Sequence, residues 1–383
     1  MHSAGSSDPA VYNNGKLLYV HLSDPPRAGP ATIVAFENKI PIFLERSLRR
    51  GVQPLMNYLF AVLALLFSSL SWCQSAGNRT DMSVDARKVR TTAAGSLSPQ
   101  VQAGSWLEKV QAQPSNADGW LNYFLWNSRI KNASGQASSQ TIITQAQEHI
   151  AGTPQFFLMQ YLASAHRDSA ALFRAFDRAS DKGWLYPYMV QYSILSGNRR
   201  ELLAYCKALD GINTINKILY EYNYNILMSA DSNATVYARG LNDLVPMAVL
   251  QQVHGVRADI KLRYYDGVIT DKSNAYLALS LGKDVLAQYP TASCTGLLVR
   301  LDAANGFEEM RRHMENDMKL DELAQVERLP ADDGQLYRNY LPALVLMYRY
   351  YRPLDAVKAA RTKALIEKIA GATGVPADKL PEE

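Results

Sequence analysis

Between Val101 and Asp181 apolar residues recur every three to four positions, and short polar stretches rich in Gly, Pro, Ser, Asn and Asp interrupt them. That is the period of amphipathic helices. The spacing predicts helices over Val101–Gln113, Asp118–Ile130, Ser139–Ile150, Pro154–His166 and Ser169–Asp181. A further pair is expected at Trp184–Leu195 and Arg199–Leu209. In the break between them Gly197 can take the left-handed conformation that ends one helix, and Asn198 can cap the next.

After Asp210 the pattern changes. Lys217–Ala230 reads as an amphipathic helix, and the turn Asp231-Ser232-Asn233 leads into the short β-rich run Ala234–Arg239, which stops at Gly240. Asp243–His254 is helical by period, Gly255 ends it, and Asp259–Tyr265 alternates apolar and polar side chains. Strand, helix, strand predicts a βαβ unit with two parallel neighbouring strands. A third short strand is expected at Gly296–Leu301. Gln335–Tyr351 and Leu354–Ala370, separated by Pro353, predict a closing helical hairpin. The fold class is therefore mainly α, built of tetratricopeptide-like helical hairpins, with a small parallel α/β unit. The hairpins recur at the roughly 30–40-residue spacing of such repeats. Asn116 to Tyr123, and Tyr188, Tyr192, Gly197 and Tyr205, resemble repeat positions, and aromatic residues at that spacing read as core packing.

The longest apolar run is Leu55–Leu70, with Arg46, Arg49 and Arg50 upstream. It is short for a membrane span, which needs about 20 apolar residues, and has the form of a secretory signal core. Cleavage is expected before Gln74, after Ser71 and Cys73, with a membrane anchor and a lipoprotein acylated at Cys73 as alternatives. The expected organisation is a leader or upstream extension over 1–55, with Met56 as the natural start, a signal peptide over 56–73 and a flexible linker over 74–98. A helical-repeat domain follows over 99–210, then a small α/β unit over 211–302, a closing helical segment over 303–371 and a tail over 372–383. Export to the periplasm or outer envelope follows, with membrane contact only through the signal or a lipid anchor.

Composition narrows the classes. Hydrophobic residues make up 48% and charged residues 20% of the 383 residues, an ordinary globular balance. A net charge of +4, dispersed along the chain, gives no basic face for nucleic acid. Beyond Cys73 only Cys206 and Cys294 remain, either as one disulfide in an oxidising compartment or as two buried thiols. The six histidines have no His or Cys partner at metal-ligand spacing, and no nucleophile elbow, Walker loop or dinucleotide fingerprint occurs. No metal or cofactor is expected. Glu308, Glu309, Arg311 and Arg312 read as a solvated helix face.

The stretch ATVYARGLNDLVPMAVLQQVHGVRADI, Ala234 to Ile260, resembles the segment that follows the membrane-spanning part of O-mannosyltransferase-like proteins. The shared positions are Gly240, Asn242, Asp243, Pro246, Leu250, Gln251, Val253, Gly255, Arg257 and Asp259; Leu241 and Leu244 replace the pattern's Asp and Thr. The helical flanks are similar to exported envelope proteins that pair tetratricopeptide-like helices with this segment. Independently, a strand ending in Gly before a helix start places backbone N–H groups where α/β proteins bind ligands. Gly240, Asn242, Asp243 and Arg257 are thus a candidate ligand turn, against the simpler reading that Asn242 or Asp243 caps the helix. With no catalytic constellation, the expected function is an exported scaffold or protein-binding module with an envelope protein partner. The alternative implied by the resemblance is an accessory or degenerate glycosylation domain that binds a glycan.

Overall fold

The computed structural model describes residues 98–130, 137–302, 306–325 and 334–376. The expected leader, signal peptide, linker up to residue 97, and the end of the tail lie outside these residues. Among the described residues no helix is long and apolar enough to cross a membrane.

The described residues open with eight α-helices: α1 Pro99–Ala112, α2 Ala117–Asn127, α3 Ser139–Ile150, α4 Pro154–Ala163, α5 Ser169–Arg178, α6 Tyr186–Ser196, α7 Arg199–Gly211 and α8 Lys217–Met228. Seven of these starts are set by side-chain caps: Ser98, Asn116, Ser138, Thr153, Asp168, Asn198 and Asn216 each accept from a backbone N–H in the first turn, while α6 starts at Tyr186-Pro187 without one. At the α6–α7 turn Gly197 is left-handed, with φ 70°, and the Asn198 side chain accepts from the Glu201 N–H. The neighbours α1 and α2, α4 and α5, and α6 and α7 pack as pairs. Helices run mostly as expected here, with the predicted Pro154–His166 ending at Ala163 because Ala165 and His166 take positive φ.

The α/β unit follows: β1 Thr235–Ala238, α9 Leu241–Gln252, β2 Lys261–Tyr264, β3 Ala275–Ala278, the single turn α10 Lys283–Leu286, β4 Ser293–Cys294 and β5 Leu298–Arg300. The sheet order is β2-β1-β3-β5-β4. β1 pairs in parallel with β2, Val236 opposite Leu262, and on its other side in parallel with β3, Val236 opposite Tyr276. The expected βαβ unit is present. The third predicted strand is β5, but it runs antiparallel to β3, so the sheet is mixed rather than purely parallel.

Strand alternation divides the apolar side chains between two cores. Val236, Ala238, Tyr276, Ala278 and Leu298 join the main core, while Leu277, Ala275 and Val299 face a smaller cluster with Tyr265, Leu279 and Leu286. The chain closes with α11 Phe307–Arg312, a π-helical turn His313–Asp317, α12 Leu320–Gln325, α13 Gly334–Tyr337, α14 Leu341–Tyr351 and α15 Ala356–Thr373. α14 and α15 form the predicted hairpin. Both cysteines are buried and free, so the disulfide alternative falls; burial pushes the Cys206 thiol up to about 12 and that of Cys294 to about 11.

Candidate functional site

The candidate turn closes β1. Gly240 has φ 92° and ψ 161°, a region that only glycine occupies comfortably, and α9 starts at Leu241. The helix begins two residues before the expected Asp243, and its start carries no side-chain cap, which corrects the capping reading of Asn242 and Asp243. Both side chains are buried, Asp243 completely. The Ser280 hydroxyl donates to Asp243 Oδ2 at 2.5 Å, tying the turn after β1 to the turn after β3. After β3 a 3-10 turn, Leu279–Leu281, leads to Gly282, whose φ of 84° and ψ of 166° resemble those of Gly240. β1 and β3 are adjacent and their chains leave in opposite directions, which is the topology of an α/β ligand crevice. Here Leu241 and Leu244 are buried in the main core, and the Asp243–Ser280 bond bridges the two turns.

Arg257 is not part of that turn. Its guanidinium donates to the carbonyls of Leu227, Ala230 and Asp231 and pairs with both oxygens of Asp259. Those carbonyls precede β1, whereas Gly240 to Asp243 follow it. Arg257 therefore sits at the opposite strand end, where it closes the end of α8. The Arg257 hydrogen bond holds the Asp259 carboxyl below its usual range. The Gln251 amide donates to the carbonyls of Arg257 and Ile260 at 2.8 and 2.9 Å and fixes the loop into β2. Gln251, Arg257 and Asp259 thus bind the α/β unit together.

A second cluster was not expected. Asp231, Glu309 and His313 bring ligand atoms within 4.8 Å of one another. Both Asp231 oxygens are bonded to arginines, Oδ2 to Arg300 at 2.8 Å and Oδ1 to Arg312 at 2.9 Å. Glu309 accepts from the Tyr276 hydroxyl and from Arg300. His313 is buried and bonds Asp317 at 2.9 Å. A cation would have to displace two guanidinium groups, so the donor set suits an ion-pair clamp between sheet and α11. Burial alone would raise the Glu309 carboxyl, but His313, Tyr276 and Arg300 together hold it down at about 2. Glu309, at 15% exposed, is thus drawn out of the solvated face expected from the sequence, whereas Arg312 stays exposed while it pairs with Asp231.

Two surfaces remain. Across α5, α6 and α7 half-buried rings meet: Phe176 lies 5.7 Å edge to face from Tyr205 and 5.8 Å, tilted, from Tyr186, and Phe173 lies 5.3 Å edge to face from Tyr192. Leu195, Leu203 and Ile212 are exposed on α6, α7 and the turn beyond it. Beside the closing hairpin lies a groove of about 430 Å³, floored by Met314, Met318, Leu344, Met347 and Leu365. Met310, Met314 and Met318 are spaced four apart, a sequence signal for an apolar helix stripe that the neighbouring charges obscured. No family model, curated protein or solved structure matches the chain.

Proposed function

We propose that the chain is an exported, non-catalytic scaffold that binds an envelope protein partner through the aromatic band on α5, α6 and α7. The observation that supports this reading is the band itself. Tyrosine and phenylalanine rings in mutual contact, flanked by apolar side chains and a charged rim, form the kind of anchor that dominates protein interfaces. Lys182 lies 4.6 Å from the centre of the Phe176 ring, and Glu201 and Asp177 stand near Tyr205. Export rests on the Leu55–Leu70 run and its upstream arginines.

The test is affinity capture from envelope extracts with the full chain and a Leu203→Glu, Tyr205→Ala variant, whose thermal melt reports folding. A defined protein captured by the parent and lost by a folded variant is the expected result. Equal capture by both, or retention of a saccharide by the pure protein without any protein partner, overturns the proposal. N-terminal sequencing of native protein is expected to give a start near Gln74; a cytosolic chain beginning at Met1 overturns the export step.

A further inference from the structure

The groove beside the closing hairpin is independent of the aromatic band. Its floor is buried and apolar: Met314, Met318, Met347, Leu344 and Leu365 each keep less than a tenth of their surface exposed. Methionine side chains adapt to irregular, flexible apolar ligands better than branched ones do. A π-helical turn supplies Met314 and Glu315, and such turns recur at functional positions because they re-aim side chains within a helix. The volume of about 430 Å³ falls within the about 300–1,000 Å³ of small-molecule sites. Two turns of a docked helix, about 10–12 Å across, would need roughly twice that space.

Charge at the rim selects the head group. Lys319, Lys358 and Arg361 line the groove against Glu315 and Asp321. Glu315 is already committed: it accepts from the Tyr351 hydroxyl at 2.5 Å, from Arg311 at 2.7 Å and from Lys358 at 3.0 Å. The rim is therefore cationic in excess. Arg361 pairs with Asp321, but both are largely exposed, at 68% and 74%. An exposed pair of this kind contributes about 0–1 kcal/mol and exchanges readily for another carboxylate. Arg361 is thus placed to give its fork to an incoming acid.

We propose that this groove binds a single-chain amphiphile with a carboxylate head, a fatty acid, its chain on the methionine floor and its head at Arg361 and Lys358. The experiment is calorimetric titration of the full chain with dodecanoate, dodecanol and dodecyltrimethylammonium, below their micelle concentrations. Dodecanoate is expected to bind at least tenfold more tightly than the cationic analogue. Arg361→Gln should weaken dodecanoate about tenfold and leave dodecanol unchanged, whereas Asp321→Asn, which releases Arg361, should tighten dodecanoate. Both side chains are exposed, so folding is kept, and a melt confirms it.

A Thr362→Trp variant, which fills the groove from its wall, should abolish binding of dodecanoate and dodecanol alike. No dodecanoate binding, equal affinity for the cationic analogue, or indifference to Arg361→Gln overturns the proposal. Sedimentation with phosphatidylglycerol vesicles in the absence of dodecanoate binding would mean that the groove meets lipid only in a bilayer, which also overturns it. Dodecanoate binding should survive Leu203→Glu, Tyr205→Ala, so failure here and failure of the partner proposal are separately visible.

Discussion

Pro246 lies inside α9 and has no N–H to return to the carbonyl of Asn242 one turn back. That carbonyl is nevertheless satisfied: the Asn223 side chain on α8, itself fully buried, donates to it at 2.7 Å and to the Leu219 carbonyl at 2.9 Å. One amide thus repairs the break that a proline makes in a neighbouring helix. Asn223→Ala should cost about 1–3 kcal/mol, the penalty for leaving a buried carbonyl without its donor. In a Pro246→Ala background the new N–H supplies that donor, and the cost of Asn223→Ala should shrink by about 1 kcal/mol or more. Urea unfolding of the four proteins measures the coupling; effects that simply add would show that the side chain does not compensate for the proline. Residue patterns alone could not reveal this pair, because Asn223 and Pro246 sit on different helices and neither is unusual by itself. The Gly240 turn was legible, since a glycine between a β-rich run and a helix marks a change of backbone direction. Its role was not, because burial of Asn242 and Asp243 depends on what packs over them.

Among the elements, β1 and β2 were readable because each is apolar on one face and partly open on the other, so their side chains alternate. β3 was missed for the opposite reason. Ala275 to Ala278 is buried on both faces and reads as a short apolar run without period. The helical pairs were legible from spacing and caps. The clamp between β5 and α11 was not, since Asp231 lies 69 residues before Arg300 and reaches it, beside Glu309, only once the sheet is formed. Its energetics make a pH prediction. The Glu309 carboxyl has an ordinary value of 4.5 and is held at about 2 in the fold, so the native state binds fewer protons than the unfolded chain. The stabilisation is present in full above about 4.5 and is lost as pH falls toward 2. Thermal melts from pH 6 to pH 2 should show the difference between the parent and Glu309→Gln narrowing across that window. A constant difference would mean that an ionised Glu309 does not tie sheet to helix.

On the scale of the molecule, the segments expected as separate units share one apolar core. Val110 in α1, Ile142 in α3, Met189 in α6, Tyr222 in α8, Val236 in β1 and Ile369 in α15 belong to a single contiguous cluster, and among the described residues the outer face of the sheet holds a second, smaller one. α9 carries much of this continuity. It packs against α6, α7 and α8 and crosses between β1 and β2, and every residue from Leu241 to Gln251 is buried. A helix buried all round cannot stay folded when either side leaves, because its apolar surface, stabilised at about 25 cal/mol per Å², would then face water. The helical pairs and the α/β unit should therefore unfold together. Scanning calorimetry of the full chain is expected to show one main transition, with the enthalpy derived from its temperature dependence equal to the heat absorbed. Met247→Asp, which places a charge in the fully buried middle of α9, should lower the temperature of that whole transition rather than split it. Two resolved transitions in the parent, or a shift confined to part of the heat, would show that the α/β unit folds apart from the helical pairs and that α9 belongs to one side only.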